Sequence, residues 1–373
     1  MSKQSSGYRS RPLLRRVDRA VGDLRRGLPV VIAGPDGAGL VFAAELLREA
    51  DLAMLATESG ADPYLVLTAE RANVLHILPS GHDVQLVPVK ERFDAETIRS
   101  LADPTQDLTR PMRGPFEQIK ARPPAYAAGA IALCKIALLL PAAVGAIVTV
   151  AKPSAWADER DLLCIAAEDI AAYEAETISG LEQVASARVP LAGAEDARLI
   201  AFRPRDGGRE HYAIVVGDPT RGQPVLARLH SECFTGDLLG SLKCDCGDQL
   251  RGAIQAIAKA GGGVLLYMMQ EGRGIGLINK LRAYRLQDQG HDTIEANLRL
   301  GFGADERLFE PAAEMLRLLG ISKVRLMTNN PDKVDGLAKC GIEVVDRVAH
   351  AFPPNAHNEQ YLLTKKKRSG HFL

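Results

Sequence analysis

Short apolar runs alternate with amphipathic stretches along most of the chain, and this pattern predicts a mixed α/β fold. Near the start, residues 17–26 have the spacing of an amphipathic helix, and the apolar run 29–33 predicts a strand. The glycine-rich stretch 34–39 predicts a turn, after which a second helix is expected over 43–50. Alternation of this kind is typical of sheets that are covered by packed helices.

The most apolar stretch runs from Ile136 to Ala151 and raises the question of a membrane span. It is shorter than the ~20 residues that a transmembrane helix needs, and Pro141 and Gly145 interrupt it. We therefore expect a buried helix that ends near Leu140, followed by a buried strand over 145–150. The sequence predicts no membrane partner.

Residues 153–188 are rich in alanine and acidic residues, and the helical spacing of their apolar positions predicts a helical connector. We expect residues 1–186 to form a first domain, including this connector, and residues 187–373 to form a second. A chain of 373 residues is long enough for two cores. The predicted fold class is α/β (mixed α+β), with two domains that are each a sheet with packed helices.

The second half of the chain has a regular succession of predicted elements. Helices are expected after Cys246 and from Pro331, since proline suits the first helical position. Side chains alternate along the strand at 225–230, so Arg228, His230 and Glu232 are expected to share one face. Apolar runs predict five strands in this half, at 211–216, 225–230, 264–269, 322–328 and 342–348.

Charge and cysteine content narrow the function classes. The chain has 46 Lys and Arg against 46 Asp and Glu, and this zero net charge does not indicate a nucleic-acid-binding protein. The polar, basic residues 1–16 lack the apolar core of a secretory signal. Six cysteines in a chain of this length do not form a disulfide framework, which fits a reducing cytoplasm.

Three of the six cysteines, Cys233, Cys244 and Cys246, lie within 14 residues of one another. Thiolates prefer soft metals, and three protein ligands leave a fourth tetrahedral position for water, as in catalytic zinc sites. Such a zinc ion can activate water for hydrolysis near neutral pH. Redox thiols or chance spacing are the alternatives for a Cys-x-Cys pair taken alone.

Two stretches have features of phosphate binding. In the glycine-rich turn 271–276, backbone N–H groups could approach phosphate oxygens closely, with Arg273 beside them. The spacing matches neither a Walker loop nor a dinucleotide-binding fingerprint. The helix that begins at Pro331 could present its N-terminal amides to a phosphate, with Thr328 and Lys333 nearby.

From about Val189 to the C-terminus, roughly half its length, the chain resembles GTP cyclohydrolase II. The resemblance rests on five motifs in the same order: His-Ser-Glu-Cys-Phe-Thr-Gly-Asp (230–237), Cys-Asp-Cys-Gly-Asp-Gln-Leu (244–250), Gln-Glu-Gly-Arg-Gly-Ile-Gly-Leu (270–277), Leu-Gly-Phe-Gly-Ala-Asp-Glu-Arg (300–307) and Thr-Asn-Asn-Pro-Asp-Lys (328–333). It implies a homodimeric enzyme that opens the guanine ring of GTP at C8. Formate and pyrophosphate would leave, and a pyrimidine of riboflavin biosynthesis would remain.

The resemblance also implies roles for individual residues. The three cysteines would hold one zinc ion per chain, and Mg²⁺ would bridge the GTP phosphates. Tyr284 would act near the base, Asp305 would accept a proton, and Arg307 would attack the α-phosphorus. Because a guanidinium has no free lone pair, we expect Arg307 to stabilise the phosphoryl transition state instead, with His230 as a rival nucleophile. The residues expected to bind GTP are Arg228, Leu229, His230, Ser231, Glu232, Gln249, Glu271, Gly272, Arg273, Thr293, Thr328 and Lys333.

The first domain resembles 3,4-dihydroxy-2-butanone 4-phosphate synthase, which is often fused ahead of the cyclohydrolase. The resemblance lies in residues 27–32, 40–45 and 138–143. The family's acidic Glu-Asn-Glu-Gly-Asp loop is replaced by Pro35–Gly39, and its Gly-His-Thr-Glu segment by Pro123–Tyr126. The synthase needs several carboxylates for magnesium and proton transfer, so we expect a degenerate domain without synthase activity.

Two alternatives to a GTP cyclohydrolase II remain open at this point. Met269 stands where many relatives carry an arginine, which favours a paralogue that applies related zinc chemistry to another nucleotide. The altered first domain would also fit a non-catalytic partner in an assembly. The complete cysteine triplet and the set Tyr284, Asp305 and Arg307 argue against a non-catalytic role.

Overall fold

The computed structural model describes residues 11–90, 92–111, 113–117, 119, 121–205, 207–219 and 222–353. Most of the basic stretch 1–16, which the sequence indicates is not a secretory signal, lies outside the described residues. The chain divides into two compact units. The first unit contains the residues up to Glu176 together with Ile278–Asp305, and the second contains Thr177–Leu277 and the residues from Glu306. No helix within the described ranges is both long and apolar enough to cross a membrane.

The strands form two sheets, one in each unit, as the fold class α/β (mixed α+β) predicts. The first sheet contains β1 (Val30–Gly34), β2 (Gly37–Ala43), β3 (Tyr64–Thr68), β4 (Val84–Pro88), β5 (Ala142–Val148) and β6 (Leu163–Ala166). The second contains β7 (Leu181–Arg188), β8 (Arg198–Pro204), β9 (His211–Val216), β10 (Val225–Ser231), β11 (Gly263–Met268), β12 (Lys323–Met327) and β13 (Glu343–Val348).

The helices follow the strands along the chain and cover the two sheets. They are α1 (Arg11–Arg25), α2 (Glu49–Ser59), α3 (Ala69–Val74), α4 (Ala95–Ala102), α5 (Ala125–Ile136), α6 (Pro153–Asp158), α7 (Ala167–Ser179), α8 (Cys246–Lys259), α9 (Leu277–Asp288), α10 (Thr293–Arg299), α11 (Glu310–Leu318) and α12 (Pro331–Lys339). Of these, α10 and almost all of α9 belong to the first unit, although they come late in the sequence.

The sheet of the first unit has the strand order β4-β3-β5-β2-β1-β6. Only the β1–β6 pair is parallel, and the other neighbours are antiparallel. The apolar stripe of α1, with Val17, Ala20 and Leu24, packs into a core that also contains Ala130 and Cys134 of α5. The predicted helix and strand near the start of the chain, and the strand after Pro141, are confirmed.

Two predictions about helices in this region are wrong. Residues 43–50 do not form one helix, because β2 continues to Ala43 and α2 begins only at Glu49. The connector at 153–188 is not helical throughout, because β6 pairs with β1 and β7 pairs with β8. In the connector, pairing with neighbouring strands outweighs the helix propensity of the alanine-rich sequence.

The second unit has a sheet with the strand order β13-β12-β10-β11-β9-β8-β7. All five strands predicted in the second half are confirmed, with bounds that differ by about one residue. β13, β12, β10 and β11 are parallel neighbours, while β9, β8 and β7 continue the sheet in antiparallel fashion. The alternation on β10 is also confirmed, since its apolar residues Val225, Ala227 and Leu229 lie in the main core.

This strand order brings three sequence motifs together at one edge. β10 lies between β11 and β12, and the three strands run in the same direction. Their carboxyl ends lead into the cysteine loop after Ser231, the glycine-rich turn after Met268 and the segment Thr328–Asn330. Ligands of open α/β sheets bind at the carboxyl ends of parallel strands, so the functional site is expected there.

Candidate active site

Three cysteine thiols meet just beyond the end of β10. The Sγ atoms of Cys233, Cys244 and Cys246 lie within 4.8 Å of one another, and the Cys233–Cys244 pair is 3.7 Å apart. Two thiolates on one tetrahedral zinc, each with a Zn–S bond of about 2.3 Å, are separated by about 3.8 Å. The Cys233–Cys244 separation therefore suits the predicted zinc ion, and Cys246 Sγ lies close enough to serve as a third ligand.

Two glycines allow the cysteine loops to pack this closely. A Cβ atom on Gly236 would lie 2.8 Å from Cys244 Sγ and 3.1 Å from Cys233 Sγ. A Cβ atom on Gly247 would collide with the carbonyl oxygen of Gly236. The Gly236 N–H donates a hydrogen bond to Cys233 Sγ over 3.3 Å, which stabilises a thiolate at that position.

The thiols are crowded and mostly buried, so their charge needs compensation. The pKa of the Cys244 thiol is raised to about 11, mainly by its hydrogen bond with the Cys233 side chain. Three thiolates this close to one another require a bound cation, because their mutual repulsion would otherwise keep them protonated. All six cysteines of the chain are free thiols.

A buried carboxylate that the sequence reasoning missed connects the cysteine loop to β10 and β11. Asp237 accepts hydrogen bonds from the Cys233 backbone N–H over 3.0 Å and from the Tyr267 hydroxyl over 2.9 Å. Its two oxygens also lie 3.1 Å from His230 Nε2, and the His230 ring stacks on Tyr267. The signal was present in the sequence, because Asp237 closes the first motif, four residues after Cys233.

His230 faces the site from β10, but its chemistry is restricted. Burial lowers the pKa of the imidazole, while the Asp237 carboxylate opposes that shift. Nε2 is engaged by Asp237. These contacts favour a structural and electrostatic role for His230 over the role of rival nucleophile.

Arg228 begins a buried polar chain on the same face of β10. Its guanidinium donates to the Met327 carbonyl over 3.1 Å and to the side chain of Gln249, which in turn donates to Asp245. Burial lowers the pKa of Arg228 to about 10. Within the described part of the chain, Arg228 Nε is buried without a hydrogen-bond partner. That unmatched donor is suited to an acceptor atom of a ligand.

The glycine-rich turn after β11 is fastened to the cysteine loop by Glu271. The Glu271 carboxylate, which is 6% exposed, accepts hydrogen bonds from the backbone N–H groups of Phe234 over 2.6 Å and Gly272 over 2.7 Å. Gly272 and Arg273 both have left-handed backbone conformations, with φ near 64° and 62°. A left-handed arginine is unusual, and such departures concentrate at functional sites.

The third loop supplies a cation and a helix N-terminus. The buried Lys333 ammonium donates to the Leu229 carbonyl over 2.7 Å. Thr328 Oγ1 accepts from the Asn330 N–H over 3.0 Å, and the Asn330 side chain caps α12 by accepting from Asp332 N–H. Ser231 and Glu232 complete the edge of β10, where the Glu232 N–H bonds to the Met268 carbonyl over 2.8 Å.

Comparison of the sequence with known proteins shows which family the chain is similar to. The family model for GTP cyclohydrolase II matches residues 182–349. A GTP cyclohydrolase-2 of Azospirillum brasilense is 53% identical over 363 residues, which cover 96% of this chain and 94% of that protein. This chain belongs to the GTP cyclohydrolase II family.

Other relatives show how the likeness is distributed. A riboflavin biosynthesis protein RibBA of Phocaeicola vulgatus is 36% identical over 96% of this chain and 98% of its own length. A GTP cyclohydrolase-2 of Haemophilus influenzae is 58% identical, but over only 47% of this chain and 82% of its own. Among solved structures, a two-domain 3,4-dihydroxy-2-butanone 4-phosphate synthase from A. baumannii has a TM-score of 0.34 and 18% identity over 90% of this chain.

In this member of the GTP cyclohydrolase II family, three of the expected site residues lie in the segment 278–305 of the first unit. Tyr284 is on α9, Thr293 begins α10, and Asp305 ends the segment. The Lys280 ammonium lies 5.7 Å from the centroid of the Tyr284 ring, so the two side chains share one face of α9. Arg282, on the same helix, pairs with Glu45 and Asp103.

In the first unit, the turn between β1 and β2 is held by structural contacts. Asp36, the one acid in the turn between β1 and β2, accepts from the Ala125 N–H over 3.0 and 2.9 Å. The ring of Tyr126, which is 1% exposed, packs directly against Gly39 and Gly145. An apolar ring therefore fills space beside the turn, and burial raises the pKa of its phenol.

His211, on β9, gives the second unit a titratable core group next to the unusual Met269. Its Nδ1 accepts from the Met269 N–H over 3.1 Å, and burial lowers the pKa of the imidazole to about 4. Below pH 6.5 the unfolded chain binds a proton that the folded chain does not. The free energy of unfolding should therefore fall by roughly 3 kcal/mol from this group as the pH drops from 6.5 to 4.

The variant His211→Asn isolates this effect, because an asparagine oxygen can accept the same hydrogen bond without titrating. Urea unfolding between pH 7 and pH 4.5 should give a shallower loss of stability for His211→Asn than for the unaltered protein. Equal pH dependence in the two proteins would show that His211 does not titrate as its burial requires.

Proposed function

We propose that the protein is a zinc-dependent GTP cyclohydrolase II. It converts GTP to 2,5-diamino-6-ribosylamino-4(3H)-pyrimidinone 5′-phosphate, formate and pyrophosphate in riboflavin biosynthesis. The observation that carries this proposal is the cluster of three thiols at the carboxyl end of β10, in a chain 53% identical to a GTP cyclohydrolase-2 over almost its whole length.

Cys233, Cys244 and Cys246 would hold one zinc ion per chain. When bound, the zinc supplies a Lewis acid and activates water for hydrolysis at C8 of guanine. Loss of formate breaks both bonds from C8 to nitrogen, which requires two water molecules. Asp237 supports this chemistry by fixing the Cys233 backbone and the His230 ring in one buried network.

The guanine end of GTP would lie near Arg228 and Gln249. The unmatched Arg228 Nε donor supports this assignment, because a ring oxygen or nitrogen could accept from it. The carboxyl end of β10 lies beside it, with Leu229, His230 and Ser231 in the strand and Glu232 directly after it. From the late segment of the first unit, Tyr284 would position water or donate to the ring carbonyl, and Thr293 would contact the nucleotide.

The phosphates would be bound by the two remaining loops. Glu271, Gly272 and Arg273 supply a backbone turn with a cation beside it, and Thr328 and Lys333 lie at the N-terminal end of α12. Mg²⁺ bound together with the phosphates would neutralise part of their charge. A third water displaces pyrophosphate at the α-phosphorus, with Asp305 as the proton acceptor and Arg307 stabilising the developing negative charge.

The experiment that tests the proposal is an incubation of the zinc-loaded protein with GTP and Mg²⁺. Formate and pyrophosphate should each appear in a ratio of about one per GTP consumed, together with the pyrimidine. Release of pyrophosphate alone would indicate a nucleotide hydrolase without ring opening. Absence of both products would contradict the proposal.

A second candidate is a paralogue that opens the ring of another purine nucleotide. It is supported by Met269, since a relative's arginine at this place could contact phosphate while a thioether cannot. Parallel incubations with GTP, ITP and ATP separate the two candidates. Formate release that is faster from ITP or ATP than from GTP would favour the second.

We expect no dihydroxybutanone phosphate synthase activity, because Asp36 is engaged at the start of α5 and Tyr126 fills the adjoining space. Ribulose 5-phosphate with Mg²⁺ should give no product above a control without enzyme. Formate is released in the synthase reaction too, so the measurement must detect the four-carbon phosphate itself. Its formation at a rate above the control would contradict this expectation.

The setting of the enzyme is also part of the proposal. Six free thiols fit a reducing compartment, which supports a cytoplasmic enzyme. Membership in the family supports a homodimer that binds neither nucleic acid nor membrane. Sedimentation of the purified protein at several concentrations would test the dimer.

A further inference from the structure

Residues 11–176 have no part in the chemistry proposed above, yet they share the first unit with the segment 278–305. We call this stretch the anchored segment, and we call residues 11–176 the N-terminal part. The anchored segment carries Tyr284, Thr293 and Asp305, all of which belong to the proposed site. The contacts that hold it are specific and largely polar, and they occur near both of its ends.

At the start of the anchored segment, Asn279 and Arg282 lie one helical turn apart on α9 and face the N-terminal part. The fully buried Asn279 donates from Nδ2 to the Leu138 carbonyl over 3.1 Å. Arg282 lies 3.1 Å from a Glu45 carboxylate oxygen and 3.5 Å from one of Asp103. The same Glu45 oxygen accepts from the Leu140 N–H over 2.8 Å, so the acid itself is held in place.

Near the end of the anchored segment, the buried Arg71 of the N-terminal part contacts the segment. Its guanidinium forms two parallel hydrogen bonds with Asp107, over 2.7 and 2.8 Å, and reaches the Arg299 carbonyl over 3.5 Å. Gly301 then passes close to β3, since a Cβ atom there would lie 2.9 Å from Thr68 Oγ1. Its φ of 86° also favours glycine.

These contacts fix the rotation of α9 about its axis. Tyr284 follows Arg282 by two residues, which places it about 200° around the helix. One face of α9 is therefore bound to the N-terminal part while the opposite face carries Tyr284. A change of about 1 Å in the position of a catalytic group can cost about a hundredfold in rate, so the anchor has consequences for catalysis.

We propose that the N-terminal part, although it has lost the synthase site, acts as a positioning device for the cyclohydrolase reaction. Glu45 and Arg71 are positioning residues that set where Tyr284 and Asp305 stand, without touching substrate themselves. This inference rests on the proposed function. It gives the degenerate first domain a role that depends on its scaffold and not on its former chemistry.

The test uses the full-length zinc-loaded protein and the variants Glu45→Gln and Arg71→Lys. Glu58→Gln is the matched control, because Glu58 pairs with Arg160, which also belongs to the N-terminal part. Hydrogen exchange should speed up in residues 278–305 of the first two variants and stay unchanged in α8. The kcat for formate release should fall about tenfold to a hundredfold, with zinc at one per chain.

Two outcomes would overturn the inference. Unchanged exchange in the anchored segment would show that Glu45 and Arg71 do not hold it. Faster exchange with unchanged kcat would show that the anchor does not position the site. If the unaltered protein released no formate, the proposed function would fail and the positioning role with it, while the exchange measurement would still decide whether the segment is anchored.

Discussion

Replacing one cysteine of the cluster, Cys244→Ser, should remove both the zinc and the release of formate. The Sγ atoms of Cys233 and Cys244 are 3.7 Å apart, which suits one tetrahedral ion, and Cys246 Sγ lies within 4.8 Å of both. A serine hydroxyl is a poor zinc ligand because it stays protonated near neutral pH. The purified unaltered protein should contain about one zinc per chain, the variant close to none, and formate from GTP should fall below detection.

Cys340→Ser is the matched control for this prediction. Cys340 is a free thiol of the second unit that borders the apolar core and is not one of the three clustered cysteines. The Cys340→Ser variant should keep both zinc and turnover. A loss in Cys244→Ser would then be specific to the cluster and not a general effect of removing a thiol. Full zinc content and full turnover in Cys244→Ser would refute the assignment of the cluster as the metal site.

The second large effect distinguishes the residue that acts at the guanine base from the residue that acts at the phosphates. Tyr284→Phe should block ring opening, so formate release should be lost while pyrophosphate release from GTP remains detectable. Arg307→Ala should instead lose pyrophosphate release by roughly a hundredfold or more, because a cation at the phosphoryl transition state is removed. Arg307→Lys should recover little, since lysine keeps the charge but lacks the planar fork.

Two variants serve as controls for these roles. Tyr173→Phe removes a phenol that bonds to Asp18, and Arg317→Ala removes a guanidinium that bonds to Glu314 and to the Cys340 carbonyl. Neither should alter either product, and all five variants should contain zinc. If Tyr284→Phe stopped both releases equally while Arg307→Ala retained both, the division of roles would be wrong.

The fold was predictable wherever local pattern and tertiary pairing agree. The strands at 211–216 and 225–230 were found within about one residue because alternation and apolar runs suffice there. The helix expected over 43–50 failed because Ala43 pairs with Ala143 of β5, which is distant in sequence, and Ala44–Leu46 form only a short 3-10 turn before α2. Strand β6 was missed for the same reason, since its partner β1 lies more than a hundred residues earlier.

The candidate site divides in a similar way. The cysteine triplet was visible because its residue types and spacing are specific to metal binding. Asp237 was missed although it closes the first motif, because the sequence does not show that His230, the Cys233 N–H and Tyr267 surround its carboxylate. The anchoring of 278–305 could not be predicted, because Glu45 and Arg71 meet their partners only through tertiary structure.

The fate of the C8 carbon of GTP tests the central claim most directly. GTP labelled with carbon-14 at C8 should be incubated with the zinc-loaded protein and Mg²⁺, and the formate and nucleotide products separated. The account predicts that the label leaves entirely as formate and that the pyrimidine product carries none. Label that stays in a purine or pyrimidine product, at a time when GTP has been consumed, would contradict it.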